Sequence, residues 1–366
     1  MVRAMRRLLA TCVAIAALAA PATDGFAWSN KEHAQFTRLA AMRIIADPAA
    51  PDDLKAWLRE QTPLLPTMDA ERDWVLHEPV GLEPDPAKFS GLTWWVLVPD
   101  LVALDRSAGK QPPFDQHERL NHFVDLEFFN PANEKKTYQL DLSSLPKLTD
   151  VPRDPKDPTY VRAGYLPLAR EHAYQQLVAA LRAGKLSPDK SRPDDQDHAV
   201  RWAGYLAHYT QDNTQPHHAT MDYKSARYFP GMKSSPNVHA EMEYRMADEP
   251  SQPLPELRRE FWDEFAKRLG EVKDDVGEDD IFTSTLEVAM DSYLNLPLIG
   301  EAAQGAVVTT DPKKPTIDTA MFFHHVGVAD GREQSVLQMK AHQTAWAVVR
   351  TENVIKKAWA DAKKQP

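Results

Sequence analysis

Cysteine occurs once in the 366 residues, at Cys12. That position lies within the apolar run Leu8 to Ala20, so the body of the chain can form no disulfide and offers no thiolate to a metal ion. Positive charge is also scarce. The 43 lysines and arginines are outnumbered by 53 aspartates and glutamates, a net charge of −10, which opposes nonspecific attraction to polyanions. Long hydrophobic stretches are missing too: the run Leu8 to Ala20 covers thirteen residues, short of the roughly 20 a membrane-spanning helix needs. Preceded by Arg3, Arg6 and Arg7 and followed by small residues, it reads as a secretory signal peptide over residues 1–27. Cleavage fits after Ala22 or directly before Trp28. The expected product is secreted or periplasmic, has no transmembrane anchor, and is more acidic than the full chain because three arginines leave with one aspartate.

No convincing series of alternating strands is present, and no internal repeat stands out. Helical periodicity fills the space instead, with apolar residues three or four apart over Glu32 to Ile45, Leu168 to Leu181, Asp197 to Asp212, Val238 to Ala247, Leu254 to Leu269 and Glu333 to Ala360. The pattern predicts an all-α fold, read as a single mostly helical domain over residues 28–366. Between Phe129 and Pro167 six prolines fall among charged residues, which predicts an irregular, exposed insertion or lid. Its aromatic residues Tyr160 and Tyr165, with Phe128 and Phe129, either form an apolar rim or anchor the loop to the helical body.

The signal for chemistry is concentrated in histidine and carboxylate. In "HYTQDNTQPHH", His208 and Asp212 are four apart, and so share one helix face before Pro216 ends the helix and turns His217 or His218 back. In "VHAEMEYRM" His239 and Glu243 repeat the step, while Glu241 falls on nearly the opposite side. Each pair borders an apolar stripe, where imidazole and carboxylate are costly unless paired, protonated or metal-bound. Nitrogen and oxygen donors without thiolate fit Zn²⁺ in a hydrolytic site and exclude a structural zinc finger. The His-Glu-x2-His arrangement of zinc peptidases is absent; "VLHEP" lacks its second histidine. His324 and His325 read as the end of a buried segment, and His342 as an edge residue of the terminal helix.

Taken in order, "AWSNKEH", "NHFVDLE", "HYTQDNTQPHH" and "HAEME" resemble the family that joins bacterial zinc-dependent phospholipase C to the zinc-dependent single-strand nucleases. The resemblance covers Trp28 to Glu243 and implies a helical fold with about three Zn²⁺ ions in a cleft. It further implies that Trp28 binds metal through its freed amino group and carbonyl. His33, Asp100, His122, His208, Asp212, His218, His239 and Glu243 would complete the ligand set, with Asp212 bridging two ions. Asp100 could also accept a proton as a catalytic group, and Asp105 and Asp115 are its alternatives in that stretch. His217 becomes a spacer.

The function so implied is hydrolysis of phosphate esters by a metal-activated water. No Gly-Gly-Asn stretch follows the Gln-Pro-x-His turn, the second acid is a glutamate, and the chain is acidic, all of which favour a phospholipase C-like enzyme acting on phospholipid or another phosphodiester. The Trp28 to His33 spacing argues for the alternative, a single-strand nuclease or nucleotidase acting on single-stranded nucleic acid or nucleotides. A non-catalytic zinc-containing binding protein is the alternative from a different class.

Overall fold

The computed structural model describes residues 28–77, 89–105, 107–130, 145–188, 196–245, 254–308 and 314–364. The expected signal peptide and the prolines and charges of 131–144 lie outside the described residues. Helices make up most of what is described: α1 Asn30–Ala46, α2 Asp52–Gln61, α3 Met68–His77, α4 Leu92–Trp95, α5 Val98–Leu104, α6 Tyr160–Ala163, α7 Leu166–Arg182, α8 Ala199–Asp212, α9 Val238–Ala240, α10 Pro255–Glu271, α11 Ile281–Tyr293, α12 Leu296–Ala306, α13 Thr319–His324 and α14 Val336–Lys363. The fold is all-α apart from two small antiparallel hairpins. These pair β1 Val307–Val308 with β2 Thr316–Ile317, and β3 Val326–Ala329 with β4 Arg332–Ser335.

The 28-residue α14 is the spine. It packs against α1, α7, α8 and α10, while α7 lies along α8 and α11 covers α7. Phe36, Leu39, Leu206, Phe265, Leu286, Val348 and Ile355 fill the space between them, and burial of such side chains contributes roughly 1.5–3 kcal/mol each. Arg170 and Arg350 are also fully buried and share Glu278, each at 2.6 Å. Arg170 donates as well to Thr210 on α8 at 2.9 Å, so the ionic network fixes α8 from behind.

Helix α1 begins with a capping box in which Ser29 and Glu32 satisfy each other's backbone N–H groups. On α8, Gly204 permits a close approach. A Cβ there would meet Trp95 at 2.5 Å and the Val96 nitrogen at 2.8 Å, so only glycine lets the α4–α5 connection lie against α8.

Two sequence expectations need correction. The terminal helix starts at Val336, not Glu333, because residues 332–335 form β4 and Ser335 caps the helix with Gln338. The described part of the Pro-rich segment is not a detached, exposed lid: Val151, Tyr160, Ala163 and Tyr165 are buried in the core, and Phe129 packs edge-on against Tyr160. These apolar residues reach inward between exposed ones such as Arg153, Pro155, Pro158 and Arg162.

Gly204→Ala should cost about 1–3 kcal/mol of stability, the usual cost of overpacking, read as a lower urea midpoint with an unchanged slope. An unchanged midpoint would show that the Trp95–Val96 backbone can shift freely.

Candidate metal centre

Six short stretches deliver the predicted side chains to one buried region. His33 comes from the first turns of α1, Asp100 from α5, and His122 from the end of the 3₁₀ turn Glu118–Asn121. His208 and Asp212 sit on α8, His218 on the 3₁₀ turn Pro216–Ala219. His239 lies on α9 and Glu243 on the π-helical turn Glu241–Arg245 that continues it. The α-helix expected to run from Val238 to Ala247 is therefore widened after its first turn, a distortion common where a helix serves a site. All eight side chains are buried.

Asp212 is the hub. Its Oδ1 lies 3.3 Å from His33 Nε2, and its Oδ2 lies 3.0 Å from His122 Nδ1 and 3.1 Å from His208 Nε2. Asp100 Oδ1 is 3.7 Å from both His122 Nδ1 and His208 Nε2. Asp100 is thus the aspartate brought to this cluster, whereas Asp105 and Asp115 are exposed and bond to Ser107 and Lys110. Further along the wall, His218 Nε2 lies 3.4 Å from Glu243 Oε1, which also contacts His239 Nε2. Three sets of donors result: His33, His208 and Asp212; Asp100, His122 and His208; and His218, His239 and Glu243, each with donor atoms within 4.8 Å of one another.

Backbone and amide acceptors fix which imidazole nitrogen faces inward. Val96 O accepts from His208 Nδ1 at 2.7 Å, and His122 O accepts from His218 Nδ1 at 2.6 Å. Gln211 donates its amide N–H to Thr37 at 3.0 Å, leaving its oxygen to accept from His33 Nδ1 at 2.6 Å. In the neutral ring each Nε2 then carries a lone pair, and each points at a carboxylate oxygen that also carries only lone pairs. Such a confrontation is stable only with a positive charge between the atoms. A proton can supply it, and so can a metal ion. Donors about 2.0–2.2 Å from a tetrahedral Zn²⁺ lie about 3.3–3.6 Å apart, the separation of His33 from Asp212 and of His218 from Glu243, whereas the 3.0–3.1 Å contacts of His122 and His208 with Asp212 are hydrogen-bond lengths. Asp100 Oδ1 and Glu243 Oε2 are buried without any hydrogen bond, which fits the same reading.

Electrostatics divide the region in two. Around Asp212, burial alone would weaken the bases, but the Asp212 and Asp100 carboxylates overcome it, so His33 is raised and His122 is raised to about 9. Asp212 itself is held well below the usual carboxylate range because the surrounding histidines outweigh its burial. In the third set burial wins. His218 falls to about 4, His239 is lowered strongly, and Glu243 rises well above its ordinary value through burial and the nearby Asp100 and Asp212.

Trp28 anchors the start of the described chain here: its indole N–H donates to Gln211 O at 2.9 Å, and its ring is fully buried. Several supporting residues escaped the sequence reading. Gln215 donates to Glu243 Oε1 at 3.0 Å. Lys340, fully buried on α14, pairs with Glu32 at 2.8 Å and donates to the Met242 carbonyl at 2.6 Å, tying α1 to the π turn. Glu118 accepts from Tyr209 and stands 4.0 Å from His122 Nε2. Gln215 and Lys340 have no local sequence signal, since each acts across more than twenty residues, whereas Glu118 lies four residues before His122. Asp125 does: it follows His122 in "NHFVDLE". It lines a cavity of about 290 Å³ onto which His122, His218 and His239 face, and burial, with Glu127 nearby, raises its carboxyl well above the ordinary range.

The spacer His217 also lines that cavity, bonded to Ser225 at 3.2 Å. His324 is exposed on the last turn of α13, paired with Glu260 at 2.7 Å, and joins no donor set among the described residues. No helix among the described residues is long and apolar enough to cross a membrane. No protein-family model and no curated protein matches the chain.

Because His122 holds a proton at pH 7 and must lose it to ligate a metal, Zn²⁺ binding should release protons at pH 7, and the His122 contribution should fade as pH passes about 9. Titration calorimetry in buffers of different ionisation enthalpy measures this directly. Binding without proton release at pH 7 would place Zn²⁺ elsewhere.

Proposed function

We infer that the chain is a zinc-dependent phosphodiesterase, phospholipase C-like, of the superfamily that also holds the single-strand nucleases. The observation that carries this reading is the meeting of three buried His/Asp/Glu donor sets, two of which reach one cavity through His122, His218 and His239. Single buried ion pairs are common in structural cores, but three neighbouring sets, two of them sharing His208, suit chemistry on a strongly anionic group. His33, His208 and Asp212, with Asp100 and His122, would hold two ions. His218, His239 and Glu243 would hold a third, and the amino group of Trp28, once freed, would add a ligand.

When bound, the ions lower the pKa of water and neutralise phosphoryl charge. The chain's own residues do the rest. Asp212 keeps its negative charge at neutral pH and faces the histidines with both oxygens. Asp100, held without a hydrogen bond on Oδ1, is placed to accept a proton. Asp125 faces the cavity, and its burial, with Glu127 nearby, raises its carboxyl well above the ordinary range, which favours the protonated form that could donate to the departing oxygen. Leu120, Phe123, Val161, Met221 and Tyr223 give the cavity its apolar wall, which supports an ester with an apolar portion. Tyr160, Tyr165 and Phe129 are core residues and take no part in that wall.

The test uses protein starting at Trp28, loaded with zinc, and bis(p-nitrophenyl) phosphate as substrate. Turnover should vanish with a chelator and return with Zn²⁺, while Asp125→Asn should keep its zinc and lose about 10²- to 10⁴-fold in kcat. Assays on phosphatidylcholine and on single-stranded DNA then separate the lipase from the nuclease. Zinc retained with no turnover on any phosphate ester would make the chain a binding protein.

A further inference from the structure

Two arginines share the cavity wall with the donor histidines. Arg119 stands on the 3₁₀ turn that ends at His122, and Arg162 on α6, facing the same space. Both are exposed. Neither has a carboxylate partner among the described residues, in a chain whose acids outnumber its bases. Arg162 is steadied by the Phe128 ring, with its guanidinium 4.2 Å from the ring centroid, so its charge is positioned without being neutralised. Asp125 is the acid in the same lining, and it forms no ion pair with either arginine.

We propose that Arg119 and Arg162 form a subsite for a second anionic group, so that this cavity selects phosphate esters carrying another phosphate or carboxylate next to the scissile phosphate. The inference rests on the metal-centre reading for the first phosphate, and adds that the second charge is read by two guanidiniums. Guanidinium suits this role because its fork of donors matches phosphate and carboxylate oxygens. A zwitterionic ester such as phosphatidylcholine offers a cation where the subsite holds cations, and is disfavoured. The wall's apolar residues then contact the link between the two anionic groups.

The experiment compares the binding of propyl phosphate and propane-1,3-diyl bisphosphate to the zinc-loaded protein by calorimetry, for wild type, Arg119→Gln, Arg162→Gln and the double variant. Both side chains are exposed, so the fold and zinc content should be unchanged. Wild type should bind the bisphosphate at least about tenfold more tightly than the monoester, as expected for charge-assisted hydrogen bonds. That ratio should fall toward one in the double variant, while monoester affinity stays within about twofold. A ratio that persists in the double variant would mean that the second phosphate contacts metal, and would overturn the proposal. A ratio of one in wild type, with the monoester bound, overturns the subsite alone. No binding of either ester overturns the metal-centre reading as well.

Discussion

Asp212 between three imidazoles is the constraint on which the remaining geometry depends. A carboxylate buried completely in a helical core is a large electrostatic liability, and here its two oxygens face nitrogens of His33, His122 and His208 at 3.0–3.3 Å. The histidine tautomers are set by acceptors that cannot donate, chiefly the carbonyl of Val96 and the side-chain oxygen of Gln211. The inward nitrogens of His33 and His208 therefore bring lone pairs toward lone pairs. Only positive charge resolves this, and the rest of the fold is arranged to keep those atoms where the charge must sit.

That arrangement explains features with no other evident purpose. Gly204 lets the α4–α5 connection approach α8 and so delivers the Val96 carbonyl to His208 and Asp100 to the hub. The buried Arg170–Glu278–Arg350 network holds α8 from the opposite side. Lys340 joins Glu32, the neighbour of His33, to the backbone that carries Glu243. His122 and His218 are stitched in both directions, since Val124 N–H donates to the His218 carbonyl at 2.8 Å while His218 Nδ1 donates to the His122 carbonyl. Few of these contacts would stabilise a domain more than well-packed leucines would. Their common effect is to fix donor atoms.

Much of the site was legible because its signals are local. His208 and Asp212, or His239 and Glu243, are one helical step apart, and the motifs occur in an order that implies a shared purpose. The choice among Asp100, Asp105 and Asp115 was not legible, since it turns on how α5 packs against α8. Gln211, Gln215 and Lys340 were missed for the same reason: their roles exist only once distant segments meet. In the fold, the long helices stood out by periodicity, with α14 off by three residues at its start. The error there has a sequence cause. Asp330 and Gly331 both adopt positive φ and form the turn of the β3–β4 hairpin, a recognisable hairpin signal that the strong helical periodicity beyond it concealed. The hairpin β1–β2 pairs only two residues on each side, too short for alternation to register.

On the proposed reading, metal ions and not protons supply the positive charge at these donors. Anomalous diffraction at the zinc absorption edge, from crystals of the zinc-loaded protein beginning at Trp28, tests it most directly. Three peaks are expected, two beside the Asp212 carboxylate and one among His218, His239 and Glu243. A map with no peak at Asp212, or with zinc only at exposed histidines such as His324, would contradict it.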